Sequence, residues 1–301
     1  MINTPQQIFP IGFGSFGVGA EATENISKSN VLNPSEQLDS LLFAFSLGEN
    51  YIESSYHYAA GNTLQFLAIF FKKIPREKIF ITTKLFAPIH NKQDVERQLG
   101  KALQLMEIDY VDSLNCTQNA ASFLPIDEVY SLMSDQINKG ATRFLSGSNL
   151  NLSRLKLLEK NNLKLFSLEG LYNLECKVNE DLGIIKYCSD HNILFAAYQP
   201  LRRNKTSQNN YPTLLQLAEK YHKTQNQIIL NWISKYKKLF ILNKSVNKQH
   251  IRENIESLHF LMEADDYLKL DKFRRKEFDK VIIDWDNKGG IPIYNLPNLF
   301  L

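Results

Sequence analysis

The stretch Gly48–Asn62, with the sequence GENYIESSYHYAAGN, contains the unit that repeats along the chain. Gly48 ends a predicted helix, Tyr51–Ser54 is a short buried strand, and a polar loop that carries Tyr58 follows. Glu53 and Tyr58 are therefore expected at the C-terminal mouth of one strand. Parallel-barrel enzymes place their chemistry at this mouth, so the stretch predicts both a fold and a site.

Strand-like and helix-like segments alternate from one end of the chain to the other. About eight strand signals, each followed by a helix, over 301 residues are typical of a (β/α)8 TIM barrel in the α/β class. The predicted strands are Ile8–Gly19, Tyr51–Ser54, Glu77–Lys84, Asp109–Gln118, Ala141–Asn149, Lys164–Asn173, Ile193–Leu201 and Leu239–Val246. The sequence thus predicts a single barrel domain over residues 1–301. We expect residues 274–301 to form a C-terminal tail that either caps the barrel mouth or packs on the outside.

An open doubly wound sheet is the competing fold. Gly12–Gly17 has the G-x-G-x-x-G spacing of a dinucleotide-binding loop, but no acidic residue follows at the expected distance after a second strand. A glycine-rich turn without a ligand explains the spacing equally well. The barrel is therefore favoured.

Composition and charge exclude several classes of protein. The net charge of +3 comes from 35 basic and 32 acidic residues spread along the chain, which gives no basic patch for nucleic acid or membrane. The longest apolar run, Phe66–Phe71, is far short of the ~20 residues that span a bilayer. Three cysteines without metal-ligand spacing predict a reducing compartment and no metal site. We expect a cytoplasmic protein that takes a small-molecule substrate and is a monomer or a weak homo-oligomer.

Tyr58 and Lys84 are the candidate acid/base pair. A free tyrosine has a pKa of ~10, so exchanging a proton near neutral pH requires a neighbouring cation that favours the phenolate. Lys84 ends the β-branched and aromatic run Glu77–Lys84 and would reach the same mouth as Tyr58. A carboxylate behind the lysine, such as Glu53, would keep it charged and in place.

Eight stretches taken in order resemble the aldo-keto reductase family over nearly the whole chain. They are IGFGSFGVG, YIESSYHYAAGN, IFITTKL, DYVDSLNCTQ, KGATRFLSGSN, LEGLYN, FAAYQPL and ILNKSVNKQHIRENIESL. The resemblance implies an oxidoreductase that transfers hydride between NADPH/NADP+ and a carbonyl or alcohol. Tyr58 matches the family's proton donor, and Lys84 matches its lysine.

Two positions depart from the family's catalytic set of tyrosine, lysine, aspartate and histidine. Glu53 stands where the family has aspartate, and Thr117 stands where it has histidine. Threonine offers one hydroxyl, is shorter and does not titrate near neutral pH. Loss of an oriented hydrogen-bond donor of this kind often costs ~10²–10³ in rate, so we expect slow reduction of ordinary carbonyls.

The resemblance also implies a cofactor site. Tyr198 matches the residue that stacks on the nicotinamide, Ser148 and Asn149 match the pair that holds the carboxamide, and Glu169 replaces the usual glutamine. Further candidates lie in the loop after the seventh strand and in the segment after the eighth. These are Leu201, Arg202, Lys244, Ser245, His250, Glu253 and Asn254. Lys244 and Ser245 match the segment that receives the 2′-phosphate, and Glu253 and Asn254 match the residues that grip the adenine.

Phe16, His57 and Trp285 are the expected lining of an aromatic substrate pocket. Such a pocket suits an apolar or ring-shaped molecule. Two other functions stay open at this point. One is a catalytically impaired barrel that binds NADPH for regulation or assembly, and the other is an enzyme that uses the tyrosine–lysine pair without hydride chemistry.

Overall fold

The eight strands close into a parallel barrel in sequence order, each hydrogen-bonded to the next and β1 to β8. The computed structural model describes residues 1–19, 34–86, 88–117 and 123–273. The strands are β1 (Ile11–Gly14), β2 (Tyr51–Ser55), β3 (Phe80–Leu85), β4 (Val111–Thr117), β5 (Thr142–Ser148), β6 (Leu165–Leu171), β7 (Leu194–Tyr198) and β8 (Phe240–Asn243). This topology confirms the TIM barrel and excludes the doubly wound sheet.

Helices cover the outside of the barrel. They are α1 (Pro34–Ser46), α2 (Asn62–Phe71), α3 (Lys92–Met106), α4 (Ile126–Asn138), α5 (Leu152–Lys160), α6 (Val178–Asp181), α7 (Ile184–Asp190), α8 (Lys205–Gln208), α9 (Pro212–Tyr221), α10 (Gln225–Asn231), α11 (Lys248–Glu256) and α12 (Ala264–Asp271). Within the described residues, no helix is both long enough and apolar enough to cross a bilayer.

Local backbone chemistry explains where the expected boundaries were wrong. α6 and α7 are two helices rather than one, because Gly183 between them adopts a left-handed conformation (φ 73°). The first strand is only four residues long, since residues 16–19 form a turn in which Val18 N donates to Ser15 O. Beyond Asn231, α10 continues as a π-helical turn rather than as α-helix.

Aromatic rings close the N-terminal end of the barrel. This aromatic floor consists of Tyr51, Phe80, Phe144, Phe166 and Phe240, covered by Ile2 and Ile8. Neighbouring rings lie close together, with the Phe80 and Phe166 centroids 4.4 Å apart. Gly12 is needed here, because a Cβ at that position would lie 2.5 Å from the Phe240 ring.

The register brings the expected site residues onto adjacent strands at the opposite end. Lys84 pairs with both Ser55 and Asn115, and Ser148 pairs with both Thr117 and Glu169. Because all eight strands are parallel, their C-terminal ends meet at one mouth.

Candidate active site

Three oxygens surround the Lys84 ammonium. Its Nζ lies 2.6 Å from Glu53 Oε1 and 2.8 Å from Glu169 Oε2, and it donates a hydrogen bond to Tyr58 Oη at 3.0 Å. The two carboxylates attract the ammonium as ion pairs, and the phenol oxygen accepts a hydrogen bond from it. The Lys84 side chain is 12% exposed, and both carboxylates are almost fully buried. The lysine is therefore fixed in direction, and solvent screens the cluster only weakly.

Glu53 binds the phenol as well as the lysine. Tyr58 Oη donates to Glu53 Oε1 at 2.6 Å, so one carboxylate oxygen accepts from both partners. The resting proton of Tyr58 thus points at Glu53. The oxygen of Tyr58 also accepts from Lys84, which is the arrangement that stabilises a phenolate.

A tight turn presents Tyr58. The residue begins a 3-10 turn, Tyr58–Gly61, in which Ala59 and Ala60 both have left-handed backbone conformations, with φ of 50° and 52°. Alanine rarely adopts such values, and each costs of order 1–3 kcal/mol. Backbone strain of this kind is concentrated at functional sites, and here it immediately follows the proposed acid/base residue.

Glu169 lies inside the barrel on β6, where it is fully buried. Its Oε1 accepts from Asn115 Nδ2 at 3.0 Å, and its Oε2 faces Lys84. Burial, the largest influence, and the nearby Glu53 charge together raise the pKa of this carboxyl to about 7 against the opposing effects of Lys84 and Asn115. Glu169 was predicted to lie in the cofactor site, where it replaces the glutamine usual in the family. Its oxygens contact the catalytic lysine and Asn115, and the cofactor role stays a prediction.

Thr117 ends β4 and is buried. Its hydroxyl makes a long hydrogen bond of 3.4 Å to the backbone oxygen of Leu85, so its proton is only weakly held. His57, the nearest imidazole in sequence to Tyr58, is exposed, and its ring packs against Phe86 with centroids 5.0 Å apart. Desolvation by the neighbouring side chains lowers the pKa of His57.

Residues predicted for the nicotinamide end lie at the tips of β5 and β7. Tyr198 Oη donates to Asn149 Oδ1 at 2.9 Å, and Asn149 itself has a left-handed backbone (φ 59°). Ser148 is buried beside them, opposite Glu169 in the sheet register. The structure therefore brings Ser148, Asn149 and Tyr198 together next to the lysine cluster.

The segment after β8 carries the predicted phosphate and adenine residues. Lys244 is half-buried, and burial lowers the pKa of its amine. Across the described residues, no carboxylate pairs with this amine. Ser245 accepts from the Asn247 backbone in the turn that begins α11. His250 is exposed on α11, whereas Glu253 is half-buried and Asn254 is buried.

The loop after β7 contains an ion pair that the sequence did not reveal. Arg202 Nη1 lies 2.6 Å from Glu175 Oε2, and both side chains are buried. Leu201 is buried in the core beside this pair. Glu175 is thus a supporting residue that sequence reasoning missed. No signal in the sequence connects Glu175 with Arg202, whereas Asn115 lies two residues before Thr117 and therefore on the same face of β4.

Of the three predicted pocket residues, two are described. Phe16 is 45% exposed, and its ring meets the Tyr58 ring edge-on with centroids 5.1 Å apart. The Arg203 guanidinium lies 6.0 Å from the Phe16 ring, so the loops after β1 and β7 touch across the mouth. Trp285 and the tail 274–301 lie outside the described residues.

Comparison with known proteins identifies the family. The sequence profile of the Aldo/keto reductase family matches residues 10–275. This chain belongs to the aldo/keto reductase family. Membership places it among the oxidoreductases and agrees with the closed barrel.

Individual relatives are similar along most of their length. Prostaglandin F synthase 1 of Bos taurus is 26% identical, over 86% of this chain and 87% of the relative. An aldehyde reductase of Saccharomyces cerevisiae is 25% identical, over 73% and 77%.

Solved structures give the same picture. A thermostable aldo-keto reductase in complex with the inhibitor epalrestat has a TM-score of 0.77 at 25% identity, covering 88% of this chain and 95% of the other. An aldo-keto reductase of Klebsiella pneumoniae in complex with NADPH has a TM-score of 0.78 at 18% identity, covering 88% and 90%. At that identity the second likeness supports the fold alone.

Proposed function

We propose that this protein is an NADP(H)-dependent oxidoreductase that interconverts the carbonyl and alcohol forms of a small molecule, with Tyr58 as the acid/base. The supporting observation is the position of Tyr58 Oη between Glu53, at 2.6 Å, and Lys84, at 3.0 Å. A phenol held against an ammonium can release its proton at far lower cost than a phenol in water.

The residues of the chain fit a phosphorylated dinucleotide. Lys244 is a half-buried amine without an acidic partner among the described residues, and a 2′-phosphate would supply the missing charge. Ser148, Asn149 and Tyr198 offer hydroxyl and amide groups for a carboxamide. When bound, the nicotinamide supplies or accepts the hydride.

Tyr58 then handles the proton. In the reducing direction its phenol must rotate from Glu53 toward the substrate oxygen, and Lys84 stabilises the phenolate that remains. In the oxidising direction the same oxygen takes the alcohol proton. The surrounding carboxylates keep Lys84 charged in both cases.

Thr117 makes the chemistry atypical. Its hydroxyl is a single donor, weakly bound to Leu85, and it can turn toward a substrate oxygen. A threonine also leaves more space than an imidazole. We therefore propose that simple aldehydes react slowly and that a bulkier substrate is preferred.

A catalytically impaired NADPH-binding barrel is the second candidate. The observation that favours it is the resting proton of Tyr58, which is held by Glu53 at 2.6 Å rather than aimed at the mouth. In this case the cofactor would be a ligand for regulation or assembly.

One experiment separates the two candidates. NADPH and NADP+ are titrated by fluorescence quenching, and turnover of aldehydes, ketones, enones and alcohols is followed by cofactor absorbance. If the protein is an active enzyme, we expect turnover that Tyr58→Phe abolishes. Tyr56→Phe, a matched change two residues earlier, should retain that turnover. Binding without turnover across the panel supports the impaired barrel, and absence of binding refutes both.

A further inference from the structure

The buried carboxylate of Glu169 on β6 reaches the catalytic lysine on β3 from across the barrel interior, whereas Tyr58 reaches it from the loop after β2. Its Oε2 is 2.8 Å from Lys84 Nζ, and Asn115 holds its other oxygen at 3.0 Å. The Lys84 ammonium is therefore shared between two buried acids, Glu53 and Glu169, as well as Tyr58. One lysine balances only one of the two acids.

We propose that Glu169 is a positioning residue that shares Lys84 with Glu53, so that its charge sets how readily Tyr58 releases its proton. This inference rests on the function proposed above. Glu169 acts through Lys84, without contact with the phenol. The proposal rests on two distances, 2.8 Å from Glu169 Oε2 to Lys84 Nζ and 3.0 Å from Lys84 Nζ to Tyr58 Oη.

The surroundings of Glu169 allow its charge to change near neutral pH. Burial is the largest influence and raises its pKa to about 7, with Glu53 acting in the same direction. Lys84 and the Asn115 hydrogen bond act in the opposite direction. Inside the barrel, the charge of Glu169 also raises the pKa of Tyr51 on β2.

Other packed elements add little charge. On the neighbouring strands the residues in register with Glu169 are Ser148 and Ala196, which do not titrate. From the helical layer, the Tyr130 phenol is affected by Glu169, and burial holds its pKa far above neutrality. Within the described residues, Lys84 and Glu53 are therefore the charges that govern Glu169.

The two charge states have different consequences for Tyr58. With Glu169 ionised, the cluster holds two carboxylates and one ammonium, and the extra negative charge opposes formation of the phenolate. With Glu169 neutral, the charge of Lys84 is balanced by Glu53 alone, and the phenol releases its proton more easily. Reduction should therefore be faster below pH 7 than above it.

The ion pair between Lys84 and Glu169 can be tested in the free protein by NMR of ¹⁵N-labelled lysine. The Lys84 ammonium resonance, assigned by its absence in Lys84→Arg, should move with pH with a midpoint near 7. In Glu169→Gln this movement should disappear. Glu180→Gln is the matched control, because Glu180 also binds a lysine and a tyrosine, Lys237 and Tyr172, each at 2.6 Å. A resonance that is independent of pH in the wild type, or that still moves in Glu169→Gln, overturns the proposal.

Kinetics provide the second measurement. We expect kcat for reduction to fall roughly tenfold from pH 6 to pH 8 in the wild type and in Glu180→Gln, and less than twofold in Glu169→Gln. An equal fall in Glu169→Gln refutes the effect on Tyr58. If the NMR result holds but no cofactor binds, the proposed function fails while the pairing of Lys84 with Glu169 stands.

A second variant keeps the test available if Glu169→Gln does not fold. Asn115→Ser removes the hydrogen bond to Glu169 Oε1 and leaves the carboxylate in place. The midpoint of the Lys84 resonance should then move to higher pH, since the ionised form has lost a donor. A midpoint that does not move overturns the proposal.

Discussion

Glu53→Asp should increase the rate of carbonyl reduction. The substitution shortens the side chain by one carbon–carbon bond of about 1.5 Å. The Tyr58–Glu53 distance of 2.6 Å then grows to about 4 Å, beyond hydrogen-bonding range. Lys84 stays in place because Glu169 still holds it at 2.8 Å. The phenolic proton is thereby released from its resting acceptor.

The size of the effect follows from that hydrogen bond. A hydrogen bond to a charged group contributes about 1.5–3 kcal/mol, and each 1.4 kcal/mol of activation free energy is about tenfold in rate. We expect kcat to rise about tenfold, near the lower limit, since the loop after β2 can partly follow the shortened acid.

The assay is kcat for reduction of an aldehyde at saturating NADPH. Glu180→Asp is the control, because it shortens a carboxylate that binds a tyrosine and a lysine outside the site. It should leave kcat unchanged. An unchanged or lower kcat in Glu53→Asp, with NADPH affinity within twofold of the wild type, would refute the view that Glu53 restrains the proton.

Three further outcomes are expected. Thr117→His should raise kcat/KM toward simple aldehydes by about tenfold or more, measured by cofactor absorbance, and no gain in a folded variant would make Glu53 the cause of slow turnover. Lys244→Met should weaken NADPH about tenfold while leaving NADH affinity unchanged in fluorescence titrations, and equal losses would contradict a 2′-phosphate contact. Burial raises the pKa of Glu49 from 4.5 to about 8, so the stability present below pH 4.5 is lost as pH rises toward 8. Glu49→Gln should therefore raise the free energy of unfolding by about 2–4 kcal/mol at pH 8 and by little at pH 4, whereas the exposed Glu77→Gln should change neither.

The barrel could be predicted because its signals are local. Short β-branched runs, glycine stops and helical stripes each depend on neighbouring residues, and eight such units have one compact parallel arrangement. The pairing of Tyr58 with Lys84 could be predicted for a related reason. Tyr58 follows β2 and Lys84 lies near the end of β3, and consecutive parallel strands end side by side.

The second acid on Lys84 could not be predicted in the same way. Glu169 is on β6, three strands further along the barrel from Lys84 on β3, and the two meet only across the closed interior. Strand alternation gives the face of a side chain but not its reach across a barrel. The ion pair of Arg202 with Glu175 is equally hidden, because it joins two loops whose paths no periodic pattern specifies.

The aromatic floor has a consequence for how the buried acids exchange protons with water. Stacked rings and two isoleucines fill the N-terminal end of the described barrel, so hydrogen ions reach Glu53 and Glu169 from the mouth. A molecule that covers the mouth would cut this route. Glu53 and Glu169 would then keep the protonation state that they had when the molecule bound until it was released. The pH of the solution would therefore act on the site only between turnovers.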